Sequence, residues 1–173
     1  MALKSGAVFF DRDGVLNQDV GYLYRQEEFR WIAGAREALR LVQNAGLLSI
    51  VVTNQSGVAR GYYTEAHVKR LHDWMEADLA RDGIRLTAFY TCPFHHKAIV
   101  LKYRAPNHPD RKPNPGMILR AMSEWNIDPS RALMVGDKES DVRAGQRAGI
   151  ESLLFRGDDL KRAICDRVLA LRR

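Results

Sequence analysis

Two aspartates, Asp11 and Asp13, stand two residues apart where the apolar run Ala7–Phe10 meets Gly14. Carboxylates this close repel unless a cation lies between them or one of them holds a proton, and both outcomes suit catalysis. An isolated Asp-x-Asp-Gly would equally describe a solvated turn with the glycine supplying the bend. Two further apolar runs end in related chemistry. Ile50-Val51-Val52 leads into Thr53-Asn54-Gln55-Ser56-Gly57, a cluster of hydroxyl, amide and backbone donors able to surround a phosphate. Leu133-Met134-Val135 leads into Gly136-Asp137-Lys138-Glu139-Ser140-Asp141, which adds carboxylates and a lysine at a helix start; Asp137 alone could be a helix cap. One shared Mg²⁺ and phosphate site accounts for all three clusters, because hard carboxylate oxygens suit Mg²⁺ and the metal then bridges to phosphate.

Such a site needs strands that end together. Runs rich in Val, Ile, Phe and Leu at Ala7–Phe10, Leu47–Val52, Ala88–Thr91, Ala132–Val135 and Ser152–Phe155 predict five buried strands. Between them lie helical patterns. One starts at Thr64 as N-cap, carries Val68, Leu71, Met75 and Leu79 on one face and stops before Gly83. Another spans Ala35 to Ala45 with Gly46 as its stop. A third has Asn114 placed to cap it and Pro115 in its first turn, and a fourth follows Asp137. Alternation of strand and helix along all 173 residues predicts a single α/β domain, a Rossmann-like three-layer sandwich with a central, mainly parallel sheet. The irregular stretch is Cys92 to Pro115, where prolines at 106, 109, 113 and 115 exclude helix and central strand.

Composition narrows the functional classes. Apolar residues make up 46% and charged residues 28%, which excludes disordered and collagenous chains. The longest apolar stretches fall far below the roughly 18 residues of a membrane helix, and no signal peptide is visible, so a cytoplasmic protein without a membrane partner is expected. Two cysteines, Cys92 and Cys165, give no disulfide framework. The net charge of +6 invites a nucleic-acid reading, but half of the excess lies between Arg156 and Arg173, and the rest is spread thinly beside phosphate-type loops. A nucleic-acid partner is therefore not expected.

The motifs Phe-Asp-Arg-Asp-Gly-Val-Leu-Asn at 10–17, Val-Thr-Asn-Gln-Ser-Gly-Val-Ala-Arg-Gly at 52–61, Arg-Lys-Pro-Asn-Pro-Gly-Met at 111–117 and Met-Val-Gly-Asp-Lys-Glu-Ser-Asp at 134–141 resemble, in the right order and over nearly the whole chain, the haloacid dehalogenase superfamily of phosphatases. Within it the chain is most similar to the heptose 1,7-bisphosphate 7-phosphatases, whose nearest relatives are histidinol-phosphate phosphatases. The resemblance implies an Mg²⁺-dependent phosphatase that forms an aspartyl-phosphate on Asp11, uses Asp13 to give and take the proton, and holds Mg²⁺ with Asp11, the Asp13 carbonyl and Asp137. It further implies Thr53 and Asn54 on the phosphoryl oxygens and Lys112 neutralising their charge, with Gln55, Arg60, Arg111 and Lys138 as contacts to substrate or site and Asp141 orienting Lys138 or the metal shell. The first strand is followed by only about two dozen residues before the next helix, so no separate cap domain fits and short loops must select the substrate. A small phosphosugar is the expected ligand, most of all the 7-phosphate of a heptose bisphosphate on the way to a nucleotide-heptose for lipopolysaccharide or another surface polysaccharide, handled by a monomer. Histidinol phosphate and a nucleic-acid 3'-phosphate are the alternatives that keep the mechanism; a basic binding module without catalysis is the alternative that discards it, and it leaves Asp11, Asp13 and Asp137 without a purpose.

The chain departs from its relatives in the long loop. They commonly fold it around Zn²⁺ with a Cys-x-His pair and a later Cys-x-Cys pair. Here Cys92 is kept, Phe94 stands where the histidine would be, and His108 and Asp110 stand where the later cysteines would be. Cys92, His95 or His96, His108 and Asp110 could in principle form a substitute site, but structural zinc sites favour several thiolates, so a lost site is expected. Likewise His67 and His72 are expected at the surface or half-buried, and Trp31, Trp74 and Trp125 in packing rather than base stacking. Metal analysis of the purified protein should find no stoichiometric zinc; a bound zinc whose removal by chelators unfolds the protein would contradict this.

Overall fold

The computed structural model describes residues 4–172. Five strands form one sheet in the order β3-β2-β1-β4-β5, with β1 Ser5–Phe10, β2 Leu48–Asn54, β3 Ala88–Cys92, β4 Ile127–Gly136 and β5 Glu151–Leu154. Every pairing is parallel. All carboxyl ends therefore face one edge, and β1 lies in the middle, where the chain switches from building outward through β2 and β3 to building outward through β4 and β5. Crevices at such switch points are where open α/β sheets bind ligands.

The strands are apolar on both faces because both are covered. Val8 and Phe10 join Val51, Leu133 and Val135 in a core closed by α1 Ala35–Asn44, α3 Glu65–Ala80 and α6 Leu160–Leu171. Ala7 and Phe9 point the other way, with Ile50, Val52 and Met134, towards α4 Gly116–Glu124 and α5 Glu139–Arg147. This is the expected three-layer sandwich. A smaller cluster of Val58, Ala59, Tyr63, Val68, Ala98 and Tyr103 lies beside α2 Ser56–Ala59 and supports the long loop. Among the described residues, no helix is long and apolar enough to cross a membrane.

Two local expectations need correction, and one helix went unassigned. Asn114 does not cap α4: Pro115 holds the cap position, and the Asn114 amide instead donates to the Asn107 side chain and the His108 carbonyl. The basic segment after Arg156 contains α6, whose Leu160, Ile164, Val168 and Leu171 are buried at helical spacing. His72 is buried rather than at the surface or half-buried. Its ring stacks on Phe89 of β3 at 4.1 Å, and its Nε2 lies 3.2 Å from Nη1 of the fully buried Arg12. Arginine can only donate, so Nε2 must accept, and the imidazole is neutral. Burial, reinforced by the Arg12 charge, holds the His72 pKa well below the usual 6.5.

Stability follows from that displacement. Below about pH 6.5 the unfolded chain gains a proton on His72 that the folded chain refuses, so this residue's contribution is present above that pH and is lost on acidification. Urea denaturation should show stability falling from pH 7 to pH 5 at a slope to which His72 adds up to ~1.4 kcal/mol per pH unit. The fall should be shallower in His72→Gln; equal slopes in the two proteins would contradict the assignment.

Candidate active site

β1 delivers its two aspartates into very different surroundings. Asp11 follows the last strand residue, its amide held by the Val135 carbonyl of β4 at 2.9 Å. Its carboxylate is almost wholly buried and lies 2.9 Å from Nζ of Lys112. That ammonium also donates to Asp141 at 2.7 Å and to the Val52 carbonyl at 2.8 Å, so each of its three protons has an acceptor. Burial works against the charge on Lys112, but Asp11 and Asp141 outweigh it and hold the ammonium above its usual range. Burial, opposed by Lys112 and assisted by Asp141, pushes the Asp11 carboxyl up to about 7.

Asp13 lies in a turn closed by bonds from the amides of Leu16 and Asn17 to the Arg12 carbonyl. Gly14 is required there. Its φ is +86°, and a Cβ would overlap the Asp137 carboxylate. Three side chains converge on the Asp13 carboxylate and all of them donate: Arg12 through Nη2 at 3.0 Å to both oxygens, Asn17 at 2.9 Å and Gln55 at 3.0 Å. Arg12 also reaches the Leu23 carbonyl at 2.9 Å and so ties the turn to the following loop.

The other strand ends supply the rest. Thr53 and Gln55 are buried, and Gln55 Nε2 donates to Thr53 Oγ1 at 2.9 Å. The Asn54 amide clamps the Lys112 peptide from both sides, donating to its carbonyl and accepting from its N–H, each at 3.1 Å. Beyond β4, Asp137 is half-buried with its Oδ1 unpartnered, and burial raises its pKa. Asp141 in α5 accepts the Lys138 N–H at 3.0 Å with the oxygen that does not face Lys112. Lys138 extends its ammonium to Asp19 at 3.2 Å.

Asp11, Asp13, Asn54, Gln55, Arg111, Lys112, Lys138 and Asp141 thus line one cleft of about 520 Å³, together with Asp19, Tyr22 and Tyr63. Thr53 lies beneath its wall. Arg60 stands at the rim with its guanidinium over the Tyr22 ring and its Nε buried without a partner. Asn54 and Gln55, expected as contacts to substrate or site, line the cleft with their side chains bonded to Lys112, Thr53 and Asp13.

Among the described residues, the group of carboxylates able to hold a metal is Asp11, Asp137 and Asp141, with one donor oxygen of each within 4.8 Å of the others. The orphaned, buried Oδ1 of Asp137 and the all-oxygen donor set fit Mg²⁺. Three of the residues weighed for zinc make other contacts. His108 stacks on Phe94 at 3.9 Å and accepts from the Asp110 amide, Asp110 pairs with Arg120 at 2.7 Å, and His95 accepts from the Lys97 amide. Cys92 is buried, which raises its thiol pKa.

Arg12, Tyr63 and Asp19 were not singled out from the sequence as site residues. Arg12 sits inside the Asp-x-Asp motif, but its burial is a tertiary fact; Tyr63 looks like one more aromatic of a loop. The role of Asp141 as the second partner of Lys112 joins residues far apart in the chain.

Known proteins resemble this chain in sequence and in fold. A HAD-hydrolase-like family model matches residues 110–168. The chain is 43% identical over 165 residues to the D-glycero-alpha-D-manno-heptose-1,7-bisphosphate 7-phosphatase of Burkholderia mallei, spanning 95% of this chain and 82% of that one. It is 45% identical over 149 residues to the D-glycero-beta-D-manno-heptose-1,7-bisphosphate 7-phosphatase of Pasteurella multocida, spanning 86% and 80%. Among solved structures, the D,D-heptose 1,7-bisphosphate phosphatase from B. bronchiseptica, complexed with magnesium and phosphate, superposes with a TM-score of 0.76 at 28% identity, covering 93% of this chain and 86% of that one. Strand ends that gather carboxylates and a buried lysine, on a sheet shared with these enzymes, place the chain in the haloacid dehalogenase-like family of phosphatases.

Proposed function

We propose that this chain removes the 7-phosphate of D-glycero-D-manno-heptose 1,7-bisphosphate, with Asp11 as the nucleophile. The observation that carries the reading is the burial of the Asp11 carboxylate against the Lys112 ammonium at the switch point of the sheet, inside a cleft that also presents Arg111 and Lys138. The names of the relatives at 43% and 45% identity support the choice of sugar.

In this reading an Asp11 oxygen attacks phosphorus, the bond from phosphorus to the sugar oxygen breaks, and Asp13 gives its proton to that oxygen. Water then attacks the aspartyl-phosphate, Asp13 takes the water's proton, and inorganic phosphate leaves with Asp11 restored. Lys112 and the Thr53 hydroxyl face the growing charge on the phosphoryl oxygens. Asp11, Asp137 and the Asp13 carbonyl are the groups that would hold Mg²⁺, whose charge would offset that of the carboxylates and phosphoryl group brought together. Arg111, half-buried, spends one bond on the Phe94 carbonyl at 3.1 Å and keeps donors for the second phosphate of a bisphosphate.

With Mg²⁺ present, kcat/KM should be higher for the heptose bisphosphate than for histidinol phosphate or a 3'-phosphorylated oligonucleotide; a higher value for either of the latter would replace the substrate assignment. Asp11→Asn should lower kcat by a factor on the order of 10⁴ or more while the far-UV circular dichroism stays that of the parent. Near-normal turnover by that variant would reject Asp11 as nucleophile. Chelation of Mg²⁺ should abolish activity, and added Mg²⁺ should restore it.

A further inference from the structure

We propose that Tyr63, which takes no part in the chemistry, is a positioning residue that fixes the direction of the hydrogen bonds at both Asp13 and Thr53 by locking the Gln55 amide in one orientation. The inference rests on the phosphatase reading above and adds a residue to it. The Tyr63 hydroxyl lies 2.6 Å from Gln55 Oε1 in a buried contact. Burial pushes the phenol up to about 12, so it remains a donor at any working pH. An amide has one accepting end and one donating end. With Oε1 taken by the phenol, Nε2 must face the cleft, where it meets Thr53 Oγ1 at 2.9 Å and Asp13 Oδ2 at 3.0 Å.

Both contacts then acquire a sense. Thr53 Oγ1 receives a proton from the amide, so its own O–H is left to point at a phosphoryl oxygen. Asp13 is gripped on Oδ2 by Gln55, with Arg12 reaching both oxygens and Asn17 holding Oδ1, which fixes the plane of the carboxylate that must exchange a proton with the leaving oxygen. Reversing the amide would set its carbonyl against the Asp13 carboxylate and draw the Thr53 proton away from the substrate.

The surroundings hold the phenol in place. Tyr24 stacks on the Tyr63 ring at 5.2 Å with 25° between planes. On the ring's other neighbour, Gly57 of α2, a Cβ would overlap the ring and its hydroxyl, so the absence of a side chain at 57 is what lets the hydroxyl reach Gln55.

The test compares leaving groups. An alkyl phosphate such as the heptose bisphosphate needs a proton on its departing oxygen; p-nitrophenyl phosphate, which leaves as a stable phenolate, barely does. Tyr63→Phe keeps the ring and removes the hydroxyl. It should lower kcat/KM on the alkyl phosphate about tenfold and lower kcat/KM on p-nitrophenyl phosphate by a smaller factor, because kcat/KM reports the departure of the leaving group and not the hydrolysis step that both substrates share. Gln55→Glu, which sets a carboxylate against Asp13, should show the same asymmetry with a larger loss, and it tests the same contact if Tyr63→Phe does not fold. Unchanged kcat/KM on both substrates, or equal losses in kcat/KM on both, would reject the positioning role while leaving the phosphatase reading intact. A parent protein inactive on every phosphomonoester would reject both.

Discussion

An ammonium ion buried beneath the end of a β-sheet is tolerable only if every proton and every opposing charge is matched, since the desolvation penalty is several kcal/mol per ion. Lys112 meets that condition through the Val52 carbonyl, Asp11 and Asp141, which come from β2, the end of β1 and α5. Three elements and the long loop must therefore finish at one place. The same requirement makes the site: two carboxylates within 4.8 Å of each other and of Asp137 are held there by one buried cation. Removing Lys112 would leave both carboxylates buried and unpaired, a far larger disturbance than losing a surface ion pair.

The long loop has little regular structure because its purpose is to deliver residues 111 and 112. Its prolines deny it a ladder, so side chains fix it. Phe94 stacks on His108, Arg111 bonds the Phe94 carbonyl, Arg104 bonds the Ala98 carbonyl at 2.7 Å, and the amides of Ile99 and Val100 both reach the Ala59 carbonyl of α2. Asn54 closes the arrangement on the Lys112 peptide.

Much of this was legible in sequence because the governing patterns are local. Runs such as Ile50–Val52 are apolar without alternation, the mark of strands covered on both faces, and their polar continuations gather around one cleft at the carboxyl edge. Thr64 caps α3 as its spacing to the apolar face implied, accepting the His67 amide. What escaped was either hidden by charge or dependent on contacts across the fold. α6 was masked by its arginines although Leu160, Ile164, Val168 and Leu171 carry the helical period. Pro115 displaced Asn114 from the cap of α4 because the Asn114 amide has better partners in the loop. The bonds that Asn54 and Gln55 make to Lys112 and Asp13, and the burial of Arg12 and His72, depend on partners that are distant in the chain.

Asp11 and Asp13 are chemically identical and separated by one residue, so any division of labour between them must come from their neighbours. Asp11 faces a buried cation and two other carboxylates, the setting for an anion that is to be placed against a metal and phosphorus. Asp13 faces N–H donors alone, on a turn opening to the cleft, the setting for a carboxylate whose orientation must survive the gain and loss of a proton. The residue between them produces the difference: Arg12, turned inward and backed by His72 on α3, takes one side of Asp13 and leaves Asp11 to Lys112. A surface arginine at that position would leave Asp13 with two amides and no fixed charge behind it. The burial of Arg12 therefore separates the surroundings of the two aspartates, and that separation depends on α3 as much as on the motif itself.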